Sequence, residues 1–420
     1  MKIYYDAKFA IISNTDENTY IIYSTYSHSV IKLPELSFLL FKKIIETIQM
    51  DGNLDLSDIE TDINKHKDIE AFIQGLEKNK ILFTDIDSFE NADYKNIIEA
   101  GKVFRILDVY VHLTQRCNLD CTYCYNKKNL NKWQDISINS WKKCILELKE
   151  QGLEKVIITG GEPFLSDNLI ELCKYVKDLN LQLQILTNGT LIENKVEVLE
   201  LADKIIISLD AIDPNKNNLT RKNSIKYDLV NILRHIKPLY KKKITINSVI
   251  TQKNLHTTEE LRKFIVDDLG YNIRFMRFCP NDYTEISLVP QKNLISNEED
   301  YAIFEGNVIK CPGAFNTIAI NSNGDVYPCQ NLVKSEFFIT NIKENNWLSR
   351  LNYSDVTKTF MDLDVDKIEE CKDCLYKYIC GGGCRAKAYC VYGQLDAYLK
   401  FECKYLKENC EHYLKKICFE

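Results

Sequence analysis

The first 116 residues contain no cysteine, although the 420-residue chain has 16 of them. Basic charge is not in excess either: 54 Lys and Arg against 60 Asp and Glu leave a formal net charge of −6, which offers nucleic acid no positive field. No apolar run is long enough to span a bilayer. The opening stretch MKIYYDAKFAIISNTDENTY lacks the charged, apolar, then small-residue order of a signal peptide. Neither a short-period repeat nor a low-complexity tract is present. These absences set the expectation of a cytoplasmic protein with no nucleic-acid and no membrane partner. Hydrophobic content of 45% and charged content of 27% are those of a soluble protein, and the length suits two or three domains. In a reducing compartment such cysteine richness points to metal rather than to disulfides.

What is present falls into three regions. Residues 1–85 open with the strand-like runs KFAIIS and TYIIYSTYSHSVIKL, rich in Ile, Tyr, Val and Thr. They continue with helical patterns in ELSFLLFKKIIETI, LSDIETDI and DIEAFIQGLEKNKILFT, an order that suggests a small winged-helix-like module. Residues 86–102, overlapped by the polar stretch DIDSFENADYKN that begins at Asp85, read as a linker. Over 103–290 the strand candidates ILDVYVHL, KVIIT, LQILT, KIIISL, ITINSVI and NIRFMRF alternate with helical patterns such as ISINSWKKCILELKEQG and YDLVNILRHIKPLY. This alternation predicts parallel strands with right-handed crossovers. The expected fold class is α/β, a partial (β/α)6 TIM-type barrel with ligands at the C-terminal strand ends. Residues 300–420 are rich in Cys and Gly with weak periodicity and read as a fold stapled by metal.

The first cysteines stand just past the first barrel strand. TQRCNLDCTYCYN carries Cys117, Cys121 and Cys124 as C-x3-C-x2-C. A structural zinc site is closed by four ligands, and a [4Fe–4S] cluster normally takes four cysteines. Three thiolates therefore leave an open position, although this spacing alone also suits a zinc fragment. GGEP, Gly160 to Pro163, follows the second strand, and alone reads as a turn. ISLDA ends the fourth strand, and Asp210 alone reads as a helix cap. Together, in this order on this alternation, the motifs resemble those of the radical S-adenosylmethionine (SAM) superfamily. The resemblance implies that Cys117, Cys121 and Cys124 ligate a catalytic cluster whose open iron chelates SAM. Reductive cleavage of SAM would then give a 5′-deoxyadenosyl radical that abstracts a substrate hydrogen. It further implies that Gly160, Gly161 and Glu162 hold the methionine amino group and that Ser208 and Asp210 line SAM. Arg221 would pair with the methionine carboxylate, Tyr123 would lie beside adenine, and Asn247 on the fifth strand is a further contact.

A second constellation reads C-x12-G-x4-C (Cys311, Gly324, Cys329), then C-x2-C-x5-C-x3-C (Cys371, Cys374, Cys380, Cys384), then Cys403. It resembles the SPASM extension of radical SAM enzymes, which binds two auxiliary clusters; a zinc ribbon needs four ligands, not seven. The resemblance implies a distal cluster on Cys371, Cys374, Cys380 and Cys403 and a proximal one on Cys311, Cys329 and Cys384, making three [4Fe–4S] clusters in all. The fourth proximal position is open or taken by Cys279 or Cys390. We expect it open, facing the barrel mouth and able to take a substrate thiolate. The glycines between Cys380 and Cys384 let backbone N–H groups approach cluster sulfides. Cys144 and Cys173 sit in helical patterns as packing residues, and Cys410 and Cys418 read as structural.

SPASM enzymes mostly modify peptides or proteins. The strands-then-helices order of residues 1–85 resembles the leader-recognition element of ribosomal-peptide maturases, in which an extended leader adds a strand to a small sheet, here at TYIIYS or SVIKLP. The expected activity is an intramolecular cross-link in a ribosomally made precursor peptide, a thioether first, or a carbon–carbon or carbon–oxygen bond. The expected partners are that precursor, its leader held by the N-terminal module, and an electron donor such as flavodoxin or ferredoxin. Two other readings stand beside it. One is an anaerobic sulfatase-maturing, formylglycine-forming enzyme; those enzymes carry a catalytic Asp where Gln330 stands here, and an amide cannot serve as base. The other is a non-catalytic iron–sulfur electron carrier or zinc scaffold, which leaves GGEP, Asp210 and Arg221 without a role.

Overall fold

The computed structural model describes residues 3, 5, 10–14, 19–24, 30–51, 63–91, 104–290, 311–374 and 376–419. At the N-terminus three strands, β1 (Ala10–Asn14), β2 (Thr19–Ser24) and β3 (Val30–Pro34), form an antiparallel sheet in the order β1-β2-β3. Helices α1 (Glu35–Asp51) and α2 (Ile63–Lys78) follow. Ile22 and Leu33 from the sheet meet Phe41, Ile44 and Ile48 of α1 and Ile69, Ile73 and Leu76 of α2 in a core of their own. Each such side chain, fully buried, contributes about 1.5–3 kcal/mol. The Tyr20 ring stacks on Phe38 at 3.7 Å between centroids. The stretch LSDIETDI lies outside the described residues except for Ile63, the first residue of α2. Within the expected linker, Ile86–Asn91 forms a short helix, α3.

The next region is the expected alternation of strand and helix. Its strands are β4 (Asp108–Thr114), β5 (Lys155–Gly160), β6 (Gln182–Thr187), β7 (Lys204–Ser208), β8 (Ile244–Ile250) and β9 (Asn272–Arg277). They pair in parallel in chain order, as right-handed crossovers through intervening helices require. The period of two along each strand sorts the side chains. Val109, Val111, Val156, Ile158, Ile185, Ile205, Ile246 and Ile273 enter one core. They meet Trp141, Ile145 and Leu148 of α4 (Ile138–Glu150), Leu172 and Val176 of α5 (Leu169–Asp178), and Leu233 and Ile236 of α7 (Leu229–Tyr240). Between β7 and α7 lies a short helix, α6 (Pro214–Thr220). Cys144 and Cys173 are buried in the same core as packing residues. The alternate positions, among them Tyr110, His112, Ser208, Asn247 and Arg274, lie on the opposite, concave face.

The C-terminal region joins the same sheet. Besides the cysteines of an expected metal-stapled fold it has strands: β10 (Thr317–Ile320) adds in parallel to β4. β11 (Asp325–Tyr327) and β12 (Thr340–Asn341) continue antiparallel beyond it. The result is one nine-stranded mixed sheet, a partial barrel-like core extended at its β4 edge. Strands of two to four residues carry too little period to stand out in a sequence. Helices α8 (Arg385–Tyr392) and α9 (Lys400–Phe419) close the chain, and α9 runs beside β2 and β3. No helix of the described residues is long and apolar enough to cross a membrane.

Candidate active site

The loop after β4 carries Cys117, Cys121 and Cys124, all free thiols and none fully buried. Three neighbours hold it. On one side GGEP docks through backbone bonds: Gly161 N–H donates to Thr114 O at 2.7 Å and Glu162 N–H to Arg116 O at 2.8 Å. A Cβ on Gly160 or Gly161 would stand 2.2 Å from the Thr114 or Arg116 carbonyl oxygen, and Gly160 has φ +139°, so only glycine fits this approach. On the other side Cys121 pairs with Arg221 in a two-residue antiparallel bridge, and Thr122 N–H donates to Thr220 O at 2.8 Å. From β6, Asn188 Nδ2 donates to Asn118 Oδ1, and Asn118 Nδ2 to Thr190 Oγ1, each at 2.8 Å. Burial raises all three thiols, Cys117 to about 12 and Cys124 to about 11, and neighbouring thiols add to the shift at Cys117 and Cys124. They ionise when a metal compensates them.

The other expected contacts fall into two groups. Glu162 is fully buried. Its Oε1 accepts from Thr187 Oγ1 at 2.7 Å and Phe164 N at 3.1 Å, and its Oε2 from Asn188 N at 2.8 Å. Burial pushes its carboxyl up to about 7 against those bonds. Ser208 and Asn247 are register partners on β7 and β8, and Asn247 pairs onward with Arg274 of β9; these three line the concave face in a row. Asp210 and Arg221 instead face each other. Arg221 Nε stands 3.1 Å from Asp210 Oδ2, and Nη2 donates to Oδ1 at 3.2 Å. Tyr123 Oη and Thr220 Oγ1 also donate to Asp210, and so does Val249 N–H. Burial pulls Arg221 down, but the Asp210 charge outweighs it and the net shift is upward. Breaking such a buried pair costs about 3–5 kcal/mol. Asp210 thus ties β7, β8, α6 and the cysteine loop together.

Several residues here had no signal in sequence reading. Gln115 Nε2 donates to Asn321 Oδ1, Asn126 Nδ2 to Gln115 Oε1 at 2.6 Å, and Asn129 Nδ2 to both Asn126 Oδ1 and Val333 O at 3.0 Å. This amide chain joins the cysteine loop to the C-terminal region. His112 is fully buried, neither ring nitrogen has a partner, and burial pushes it down to about 4, so it is neutral. Its edge meets Tyr125 at 6.3 Å. The one available signal was position: polar residues at the C-terminal strand ends, such as the TNGT of 187–190, are where a barrel holds its ligands.

The remaining thiols gather in two sets. Burial and then Cys384 raise Cys311 to about 11. Cys329 rises well above its usual value through burial, Cys311 and Cys384. Burial and then Cys371 push Cys380 up to about 12, with Cys403 and Cys374 adding to it. Cys279 lies in the field of Cys384 and Cys390. Cys410 is buried beside Cys380, Cys374 and Cys403; it stands seven residues from Cys403 on one face of α9. Among the described residues no three His, Cys, Asp or Glu side chains gather tightly enough for a single metal ion. A four-iron cube spreads its thiolates over separate irons, so loops of soft thiols fit clusters rather than mononuclear sites.

The model of the radical SAM superfamily matches residues 111–265, and that of an iron–sulfur cluster-binding domain, SPASM, matches 311–375. An uncharacterized protein of Methanocaldococcus jannaschii, MJ0907, is 32% identical over 243 residues, 52% of this chain and 83% of that protein. The chain belongs to the radical SAM superfamily. As a radical SAM protein with a SPASM domain it has the architecture of an enzyme that binds SAM and iron–sulfur clusters. The cysteine-type anaerobic sulfatase-maturating enzyme of Clostridium perfringens is 26% identical over 357 residues, 70% of this chain and 93% of that one. Among solved structures, SuiB of Streptococcus suis bound to its precursor peptide SuiA shares the fold with a TM-score of 0.51 and 17% identity, over 91% of this chain and 96% of SuiB.

Proposed function

We propose that this radical SAM enzyme is a peptide maturase that installs a thioether cross-link in a ribosomally synthesised precursor. The observation that carries the reading is the end-to-end likeness to SuiB, which was solved with its precursor peptide and extends over 91% of this chain. The two matched family regions together leave the N-terminal sheet and helices unexplained; a peptide-binding module gives them a role. When bound, SAM and the cluster on Cys117, Cys121 and Cys124 supply the 5′-deoxyadenosyl radical.

The chain's own residues do the rest. Glu162 and the Gly160–Gly161 backbone orient the methionine amino group, with Ser208 and Asn247 lining the adjoining wall. Asp210, Arg221 and Tyr123 hold the cysteine loop at its position beside them. The concave face, with Tyr110 and Arg274, receives the peptide and excludes water from the carbon radical. The peptide loses one C–H and one S–H and gains one C–S bond, and SAM leaves as methionine and 5′-deoxyadenosine. The electron that cleaves SAM equals the electron released as the bond forms, so SAM is the only net oxidant. Three [4Fe–4S] clusters complete this reading. The proximal set of Cys311, Cys329 and Cys384 is one thiol short of a full complement, which suits a substrate cysteine and favours a thioether. Gln330 beside Cys329 argues against formylglycine formation, which needs a base there.

The test is anaerobic reconstitution with dithionite, SAM and a Cys-bearing precursor encoded beside the gene. The wild type yields 5′-deoxyadenosine and a peptide two hydrogens lighter whose thiol resists alkylation. Cys117→Ala yields neither. Equal nucleoside from both proteins removes Cys117 from the chemistry, and an aldehyde product moves the enzyme to sulfatase maturation.

A further inference from the structure

Three consecutive glycines, Gly381, Gly382 and Gly383, have φ of +61°, +74° and +82°. This left-handed run, open only to glycine at so little cost, turns two carbonyls onto one side chain. Arg385 Nε donates to Gly383 O at 3.1 Å and Nη2 to Gly382 O. Nη1 donates to Leu395 O at 3.1 Å and to Ala397 O at 3.3 Å. The residue is 3% exposed. Every one of these acceptors is a neutral carbonyl. Asp364 and Asp396 line the same small cavity as Arg385 and Cys311, yet among the described residues no carboxylate forms an ion pair with Arg385. A guanidinium keeps its proton in a protein, and a buried cation without a counter-charge is strongly unfavourable.

The counter-charge lies in the thiols. Arg385 follows Cys384 in the chain, shares a cavity with Cys311, and stands in the field of Cys380 and Cys371. Those are two members of each auxiliary set. We propose that Arg385 is the shared counter-charge of the two auxiliary clusters, a positioning residue between them that raises the reduction potential of both. An electron added to either cluster increases its negative charge beside a fixed cation in a medium of low dielectric, which favours the reduced state. Thiolate ligands alone would leave both clusters harder to reduce. The inference rests on both auxiliary sets holding clusters.

The experiment uses the full-length, reconstituted protein, iron and sulfide analysis, and a dithionite titration followed by electron paramagnetic resonance. Arg385→Gln is expected to lower the reduction equilibrium of both auxiliary clusters about tenfold, ~59 mV for a one-electron couple. The cluster on Cys117, Cys121 and Cys124 serves as an internal reference and does not move. Arg385→Lys keeps the charge and restores wild-type behaviour at both. Unchanged auxiliary potentials in Arg385→Gln overturn the proposal, and so does a shift confined to one of them. Should Arg385→Gln fail to retain auxiliary iron, Arg385→Lys decides. Full iron with wild-type potentials supports a requirement for charge, whereas full iron with lowered potentials, or loss of iron here too, overturns it. Wild-type iron sufficient for one cluster only removes the auxiliary centres, and this inference with them.

Discussion

If Glu162 holds the methionine amino group as proposed, its carboxyl couples the binding of SAM to pH. Burial pushes its carboxyl up to about 7, against bonds from Asn188, Thr187 and Phe164. A carboxyl raised on folding adds stability below its unfolded value of 4.5, and that contribution is lost as the pH rises through about 7. The iron-bound methionine amino group would reverse the preference, because its N–H groups donate to the carboxylate and hydrogen bonding to the charged form favours it. SAM binding to the cluster-loaded protein is therefore expected to release a proton near neutrality and to tighten as the pH rises through about 7. Calorimetry in two buffers of different ionisation enthalpy measures this directly. Glu162→Gln is expected to bind SAM more weakly and without pH dependence in that range. A wild-type affinity that is flat across neutrality would contradict the assignment. Asp210, one of the same set of expected contacts, also pairs with Arg221 and accepts from Tyr123 of the cysteine loop.

At the scale of elements, the N-terminal sheet has one central strand and two edges. β2, the TYIIYS run, is hydrogen-bonded to β1 on one side and to β3 on the other. It therefore has no free edge, which corrects the expectation that it could take a leader. Among the described residues β3, the other expected strand, lies at an edge of the sheet, the position at which an extended peptide adds a strand. Such a contact is remote from the chemistry and sets affinity rather than rate. Deletion of residues 1–85 is expected to leave uncoupled SAM cleavage intact and to weaken binding of a labelled leader in fluorescence anisotropy. Retained cleavage reports that the barrel survives the loss of the sheet beside α9. Unchanged leader affinity would make the module an appendage.

At the scale of the whole molecule, one sheet carries both ends of the chemistry. β4 leads into the cysteine loop, and its neighbour β10 leads through β11 to Cys329. Tyr125, next to Cys124, bonds Thr159 and lies in the field of Tyr110 and Cys329. The Cys117–Cys124 loop and Cys329 are thereby brought to one side of the sheet. Cys279 and Cys390 stand near Cys384, at the same end of the barrel. If the proximal set has three protein thiolates, Cys279→Ala and Cys390→Ala retain full iron and the wild-type resonance of that cluster. Loss of iron or an altered resonance in either variant identifies that residue as the fourth ligand, and returns carbon–carbon and carbon–oxygen cross-links to equal standing with the thioether.

Some of this protein was decided within short reach along the chain. Three cysteines within eight residues must share a loop, and a period of two alternating with a period of 3.6 specifies parallel strands and covering helices. GGEP after the second strand is legible because only glycine tolerates the close approach to Thr114 and Arg116. The rest depended on partners far apart in sequence. The bond between Gln115 and Asn321 spans 206 positions, and nothing in either amide marks it in advance. Residue type alone does not reveal that the Asp210 carboxylate meets the Arg221 guanidinium. The addition of β10 to β4, the filled edges of β2 and the burial of Arg385 among carbonyls and thiols follow from packing. Packing selects among many polar and short-strand patterns that a sequence presents alike.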